Sequence, residues 1–169
     1  MSGDFLIRAA RLADTEKIFA MIHLNRDQLI SRSVGNIVEN IDRFFVAEAG
    51  GEIAGCATYQ VHPELGDARS ATVEVQSLVV KSAFRRRGIG RALVDAVIGR
   101  VSGFGPRDVV ALTFAPEFFS SLGFMQIPKT KIMHKLYTGC INCAKHTNPF
   151  VCPEIAMMRS LADDPVEKR

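Results

Sequence analysis

The sequence has 169 residues, 47% of them hydrophobic, and a formal net charge of +3. This length and composition are typical of one folded domain with a sizeable core and exclude a disordered chain. No apolar run approaches the roughly 20 residues that span a bilayer, and the basic residues concentrate in one stretch, so we expect no membrane and no nucleic-acid partner. Because the first residues lack the pattern of a secretory signal, we expect a cytoplasmic protein with reduced cysteines, either a monomer or a homodimer.

The first part of the chain predicts a strand, two helices and a hairpin. In chain order these cover residues 5–10, 13–24, 33–41 and 43–61. Each helix carries an apolar stripe at helical spacing, formed by Ile18, Phe19, Met21 and Ile22 in the first and by Val34, Ile37, Val38 and Ile41 in the second. The pair Gly50–Gly51 suits the two-residue turn of the hairpin, which needs positive φ.

The second part of the chain predicts alternating strands and helices. In chain order these are a loop over 62–67, a strand over 70–81, a helix with the stripe Ile89, Leu93, Val94, Val97, Ile98 and Val101, a strand over 107–114, a short helix within 115–124 and a last strand over 154–161. The order of elements predicts a single α/β or α+β domain over 1–161 with a central mixed sheet. A cysteine-containing insertion at about 136–153 and a frayed tail at 162–169 complete the prediction.

Residues 82–93, SAFRRRGIGRAL, place like charges and flexible residues between a buried strand and an amphipathic helix. The charges are Arg85, Arg86, Arg87 and Arg91, and the flexible residues are Gly88 and Gly90. Backbone N–H groups at a helix N-terminus favour phosphate, and arginines add forked donors, so a bound anion explains both features. A dinucleotide fingerprint is excluded because Leu93 stands at its third glycine, and the Gly-Lys-Ser/Thr of a P-loop is absent. A solvated basic turn is the alternative to a phosphate-binding loop.

The segment VEVQSLVVKSAFRRRGIGRALVDAVI resembles the acyl-CoA-binding segment of the GNAT superfamily of N-acetyltransferases. Arg85, Gly88 and Gly90 match the family motif R/Q-x-x-G-x-G/A, and EFFSSLGF is similar to the family's short helix that ends in Leu-Gly-Phe. The order of elements agrees over about 5–135 and again at 154–161. The resemblance implies a GNAT fold, with a mostly antiparallel central sheet that splays after its fourth strand and is flanked by helices.

The same resemblance implies where acetyl-CoA, the co-substrate, is bound. The strand backbone would pair with the pantetheine arm, and the N–H groups of the loop would hold the pyrophosphate. The residues so assigned are Leu78, Val79, Val80, Arg85, Arg86, Arg87, Gly88, Ile89, Gly90, Arg91 and Phe119. Phe119 stands where many members of the family carry a tyrosine that protonates the leaving thiolate, so a helix-borne acid is absent here.

The pattern QSLVV…RRRGIG…LTFAPEFFSSLGF…CINCAK…CPEIAMM resembles the short stand-alone N-acetylglutamate synthases of bacteria. This narrower resemblance implies transfer of acetyl from acetyl-CoA to the α-amino group of a small amino acid, L-glutamate first, as a step of arginine biosynthesis. Two alternatives stay open. One is acetylation of another small amine or a protein N-terminus, and the other is a catalytically silent acyl-CoA-binding regulatory module, which the lack of the tyrosine leaves open.

The chemistry of amine acetylation predicts the remaining site residues. Glu74 is our candidate general base, because it precedes Leu78 on the predicted strand and a carboxylate there can accept the proton of the amine. A solvent-exposed strand glutamate without a role is the alternative. Arg32, in the loop between the first two helices, is our candidate clamp for an acceptor carboxylate, with Gln76 and Ser77 beside it. Arg8 and Arg69 are weaker candidates for the clamp.

Four potential metal ligands lie close together near the end of the chain. They are Cys140, Cys143, His146 and Cys152. Zinc sites favour four Cys or His ligands, but a typical site has two local pairs and only one is present here, so we favour free thiols over a structural zinc site. Redox sensing is a further possibility for this segment. Cys56, which is isolated in a strand, is predicted to pack in the core.

Overall fold

The computed structural model describes residues 5–64, 67–140 and 143–161, without the side chains at 64, 67–70 and 138. The predicted tail at 162–169 and the side chain of Arg69 lie outside this description.

Seven strands and five helices make up the described chain. In order they are β1 Phe5–Ala9, α1 Thr15–Leu24, α2 Val34–Glu39, β2 Phe45–Ala49, β3 Glu52–Glu64, β4 Asp67–Val80, α3 Ile89–Ser102, β5 Asp108–Thr113, α4 Pro116–Ser120, β6 Met125–Gln126, α5 Met133–Lys135 and β7 Ile155–Ser160. Single 3₁₀ turns cover Leu12–Asp14, Ile41–Arg43, Ser82–Phe84 and Lys129–Ile132, and a π-helical turn covers Leu136–Cys140.

The strands form one mixed sheet in the order β1-β2-β3-β4-β5-β7-β6. The pairs β1–β2, β2–β3, β5–β7 and β6–β7 are antiparallel, whereas β4 and β5 are parallel, with Val73 opposite Val109 and Glu74 opposite Val110. The predicted mixed, mostly antiparallel sheet is therefore confirmed.

The chain divides into two compact units, one of Met1–Tyr59 with Val75–Arg100 and the other of Gln60–Glu74 with Val101–Arg169. The core of the first unit contains Ile18, Met21, Ile22, Ile37, Phe44, Val46, Ile53, Cys56 and Val79. A core cluster of the second unit contains Val110, Ile132, Leu136 and Ala156. Cys56 is fully buried, as predicted, and burial raises the pKa of its thiol to about 12.

The helical stripes are confirmed where the helix is long and corrected where it is short. Ile18, Met21 and Ile22 of α1 are buried, and so are all six stripe residues of α3. In α2 only Ile37 is buried, whereas Val34 and Val38 are each 43% exposed. A helix of six residues makes fewer than two turns, so it buries one position of the predicted stripe and leaves its neighbours in solvent.

One predicted connection is confirmed and another is partly wrong. The turn at Gly50–Gly51 forms as predicted, with φ values of 59° and 79°. The predicted loop over 62–67 is wrong at residues 62–64 and 67, because β3 continues through Glu64 and β4 begins at Asp67. The described residues of the stretch 125–153 form β6, α5 and two turns.

No helix in the described part of the chain has both the length and the apolar character needed to cross a membrane.

Gly55 allows β3 to approach both β4 and α3 closely. A Cβ added at residue 55 would lie 2.8 Å from the carbonyl oxygen of Val79, 3.2 Å from Cδ1 of Leu93 and 3.3 Å from Cγ2 of Val80. The first contact is with backbone, which cannot swing aside as a side chain can. Glycine at this position is therefore a packing requirement.

We expect Gly55→Ala to lower the free energy of unfolding by about 1–3 kcal/mol, because the added methyl group overpacks the first unit. Chemical denaturation followed by circular dichroism measures this change. Gly99→Ala is the matched control: its Cβ meets no atom within 4 Å in α3, so it should stabilise the protein by up to about 1 kcal/mol. Equal stability of Gly55→Ala and the wild type would contradict the packing requirement.

Candidate active site

Arg32 is the centre of a polar cluster in the first unit. Its guanidinium donates from Nε to Oγ of Ser77 at 2.9 Å, from Nη1 to Oδ1 of Asn36 at 2.7 Å and from Nη2 to Oε1 of Gln76 at 2.5 Å. The guanidinium carbon also lies 5.6 Å from the ring centroid of Phe44. These contacts fix the plane of the guanidinium through neutral oxygens, which do not themselves cancel its charge.

The cluster exists because β4 is irregular at Ser77. Adjacent residues of a regular strand point to opposite faces, yet Gln76 and Ser77 both reach Arg32. Ser77 has a φ of 51°, in the left-handed region that residues with a Cβ rarely adopt. The structure thus brings together the three predicted substrate residues and adds Asn36, which the sequence analysis did not single out.

Arg8, the weaker candidate whose side chain the structure describes, has different surroundings from Arg32. Arg8 donates from Nη1 and Nη2 to the two carboxylate oxygens of Asp14, at 2.7 and 3.0 Å, and from Nε to Glu48 at 2.9 Å. The hydrogen bonds from Arg8 hold the pKa of Asp14 below its usual value despite the opposing effect of burial. Arg8 therefore belongs to an ion-pair network that links β1, β2 and the start of α1.

The glycine-arginine loop has two residues in the left-handed region. Arg86 has a φ of 61° and Gly88 has a φ of 85°, and α3 begins directly afterwards at Ile89. Left-handed residues next to right-handed ones turn successive backbone N–H groups towards a common point, and such a concavity binds anions. Gly90 lies within α3 and is not among the positive-φ glycines.

The side chains of the loop are mostly in solvent. Arg85, Arg86, Arg87 and Arg91 are exposed, whereas Ile89 is buried. Arg85 donates from Nε to the carbonyl oxygen of Val80 at 3.1 Å, and Arg87 lies 5.3 Å from the ring centroid of Phe84. Two of the four arginines therefore also stabilise the loop that carries them.

Among the predicted strand residues Leu78, Val79 and Val80, the carbonyl groups of Val79 and Val80 have different surroundings. The carbonyl oxygen of Val79 is directed at Gly55 of β3, and that of Val80 accepts the hydrogen bond from Arg85. Leu78 and Val80 are partly exposed, whereas Val79 is buried.

Glu74 lies in the second unit and is buried, so the alternative of a solvent-exposed glutamate is wrong. Its Oε2 lies 2.8 Å from Nε2 of His62, and its Oε1 lies 3.1 Å from Nζ of Lys135. Lys135 also donates to Sγ of Cys140 at 3.0 Å. Sequence patterns do not identify His62, which lies in a predicted loop, or Lys135, which follows no periodic pattern.

Phe119 packs in an aromatic cluster at α4. Its ring meets Phe118 and Phe124 edge to face, each with centroids 5.2 Å apart. It is 5% exposed. An apolar edge-to-face cluster of this kind stabilises α4 against the residues that follow it.

The cysteine segment shows no converging ligand set. Cys140, Cys143 and Cys152 are free and partly exposed, and the N–H of Cys143 donates to the carbonyl oxygen of Cys140 in a turn. Within the described ranges, no group of three or more His, Cys, Asp or Glu side chains is arranged to hold a metal ion, so the zinc alternative for Cys140, Cys143, His146 and Cys152 has no support.

Comparison with known sequences identifies the family. An acetyltransferase (GNAT) domain model matches residues 40–126, about half of the chain. An uncharacterised N-acetyltransferase of Chlorobaculum tepidum is 34% identical over 162 residues, which are 95% of this chain and 99% of that protein. An amino-acid acetyltransferase of Mycobacterium tuberculosis is 27% identical over 78% of this chain and 75% of its own length.

Solved structures share the fold. Rv2747 from Mycobacterium tuberculosis, in complex with CoA, has a TM-score of 0.75 at 23% identity and covers 92% of this chain and 99% of that one. N-acetylglutamate synthase from Neisseria gonorrhoeae, complexed with coenzyme A and N-acetyl-glutamate, has a TM-score of 0.75 at 22% identity and covers 95% of this chain and 36% of that one. With the domain match and the 34%-identical relative, the chain belongs to the GNAT acetyltransferase family and is an acyltransferase.

Proposed function

We propose that this GNAT N-acetyltransferase transfers acetyl from acetyl-CoA to the α-amino group of a small amino acid, with L-glutamate the first candidate. The observation that carries the proposal is the Arg32 cluster, because a guanidinium held rigidly in one plane is suited to bidentate binding of a carboxylate. The names of two similar proteins, an amino-acid acetyltransferase and an N-acetylglutamate synthase, support an amino-acid acceptor. On this proposal the protein works in arginine biosynthesis in the cytoplasm.

On the donor side, we assign the pyrophosphate of acetyl-CoA to the loop at Arg86–Gly90. The left-handed φ values of Arg86 and Gly88 and the N-terminus of a 14-residue helix support this assignment. Arg91 and the exposed loop arginines add positive charge for the phosphates. The pantetheine arm is assigned to the backbone of Leu78 and Val80, since the carbonyl of Val79 faces β3.

In the proposed reaction the acceptor nitrogen attacks the thioester carbon, the C–S bond breaks, and an amide and free CoA form. The substrate ammonium must first lose a proton to become nucleophilic, and we assign that proton to Glu74, directly or through water. The nitrogen loses its second proton to solvent as the tetrahedral intermediate collapses to the amide. The thiolate takes its proton from solvent, because Phe119 replaces the acid and a CoA thiolate is a fair leaving group.

An acceptor screen tests the proposed function. Wild-type protein with acetyl-CoA should release free thiol with L-glutamate faster than with other amines, because we assign Arg32 to the side-chain carboxylate of a dicarboxylate acceptor. Thiol release is measured with a chromogenic disulfide reagent across α-amino acids, polyamines and peptides with free N-termini. Preference for a peptide or a polyamine would replace glutamate as the acceptor, and thiol release that does not depend on any amine would contradict amine acetylation.

We expect Arg32→Ala to raise the KM for the acceptor amino acid about ten-fold or more, equivalent to about 1.4 kcal/mol, with little change in the KM for acetyl-CoA. Steady-state kinetics with each substrate varied in turn gives both values. Arg107→Ala is the control, because it removes the same charge from a side chain that is 85% exposed. An unchanged acceptor KM in Arg32→Ala would leave the family intact and exclude this clamp.

We expect Gly88→Ala to weaken acetyl-CoA binding about ten-fold, since a Cβ at a φ of 85° costs about 1–2 kcal/mol of backbone strain in the loop. Isothermal titration calorimetry measures the affinity. Gly105→Ala introduces similar strain, at a φ of 68°, in the turn beyond the other end of α3, and it also meets no atom within 4 Å. Similar affinity for acetyl-CoA in the two variants would contradict the pyrophosphate assignment.

A further inference from the structure

Glu74 is a buried carboxylate whose charge needs a partner. At 2% exposure, burial penalises the ionised form of an isolated carboxylate and favours the protonated form. A protonated Glu74 could not accept a proton from an amine. The role assigned to Glu74 therefore depends on whatever keeps it ionised.

Lys135 supplies that charge from α5. Its ammonium group lies 3.1 Å from Oε1 of Glu74, and Lys135 as a whole is 1% exposed. Burial alone would lower the pKa of Lys135, but Glu74 and Cys140 raise it, and the net pKa lies above the ordinary value for lysine. The amine is thus held as a cation at neutral pH, although it is almost out of contact with solvent.

The surrounding elements fix this ion pair from several sides. His62 on β3 contacts the second carboxylate oxygen, Cys140 contacts the ammonium group, and β5 presents Val110 opposite Glu74. A Cβ added at Gly139 would lie 3.3 Å from Cε1 of His62 and 3.6 Å from Cε of Lys135, so the turn packs tightly on both partners. His134, next to Lys135, contacts Oγ1 of Thr72 on β4 and anchors α5 beside the same strand.

Stability does not account for the pair. Replacing a buried ion pair by apolar residues of similar volume is often neutral or stabilising, whereas removing one partner is strongly destabilising. A buried ion pair that adds little stability is expected where the ionised state of one of its groups is used in function.

We propose that Lys135 is a positioning residue that keeps Glu74 ionised and oriented for acetyl transfer. The inference rests on the proposed role of Glu74 as the proton acceptor. Lys135 acts through Glu74 and does not itself contact substrate.

The test compares Lys135→Met, Glu74→Gln and the double variant, with the best amine of the acceptor screen. Lys135→Met should lower kcat about ten-fold or more at pH 7 and move the acid limb of the kcat/KM profile to higher pH by about one unit, because the ionised carboxylate loses its cation. The KM for acetyl-CoA should stay within about two-fold in every variant. The double variant should be no slower than Glu74→Gln alone, since Lys135 has no effect once the carboxylate is gone.

Chemical denaturation provides a readout that does not require activity. Each single variant should unfold at lower denaturant concentration than the wild type, and the double variant should recover part of the loss because it leaves no unpaired buried charge. Lys131→Met is the control, since it makes the same change at an exposed lysine four residues earlier. If Lys135→Met does not fold, Lys135→Arg keeps the cation and should retain the acid limb of the wild type.

Four results would overturn the inference: wild-type kinetics in Lys135→Met, an equal loss of kcat/KM at every pH, losses that multiply in the double variant, or a shifted acid limb in Lys135→Arg. Failure of the proposed function is distinguishable, because in that case the wild type itself releases no thiol with any amine.

Discussion

The left-handed backbone at Ser77 is the constraint on which the proposed acceptor cluster depends. In a regular strand Gln76 and Ser77 would face opposite sides of the sheet, and one guanidinium could not donate hydrogen bonds to both side chains. A φ of 51° at a residue with a Cβ costs on the order of 1–3 kcal/mol and persists only where surrounding contacts hold it. Two hydrogen bonds hold Ser77 here. Arg32 donates to Oγ of Ser77, and the thiol of Cys56 donates to the carbonyl oxygen of Ser77 at 3.6 Å.

Local periodicity predicted the parts of the fold that it governs. The stripes of α1 and α3, the glycine turn and the loop before α3 all depend on residues close in sequence, and the structure has them as expected. The extension of β3 through His62 and Pro63 was missed, because proline in a sequence favours a turn or an edge position over a continuing strand. The exposed side of α2 was missed because a stripe does not reveal how short a helix will be.

The candidate site, like the fold, could be predicted only in part from the sequence. Arg32, Gln76 and Ser77 were selected for their chemistry, and their convergence depends on one backbone angle that no sequence pattern specifies. Lys135 was not selected, because lysine is almost always exposed and only tertiary contacts decide otherwise. Its partner Glu74 lies 61 positions earlier in the chain, so no local window contains both.

The cluster around Arg32 and the pair of Glu74 with Lys135 differ in how their charged groups are held. In the first unit the cation of Arg32 is oriented by hydrogen bonds to neutral oxygens of Ser77, Asn36 and Gln76. In the second unit an anion is stabilised by the cation of Lys135, which compensates its charge in a site shielded from water. Because a simple amine carries no carboxylate for a guanidinium to bind, the proposed role of Arg32 favours an amino acid over a simple amine as the acceptor.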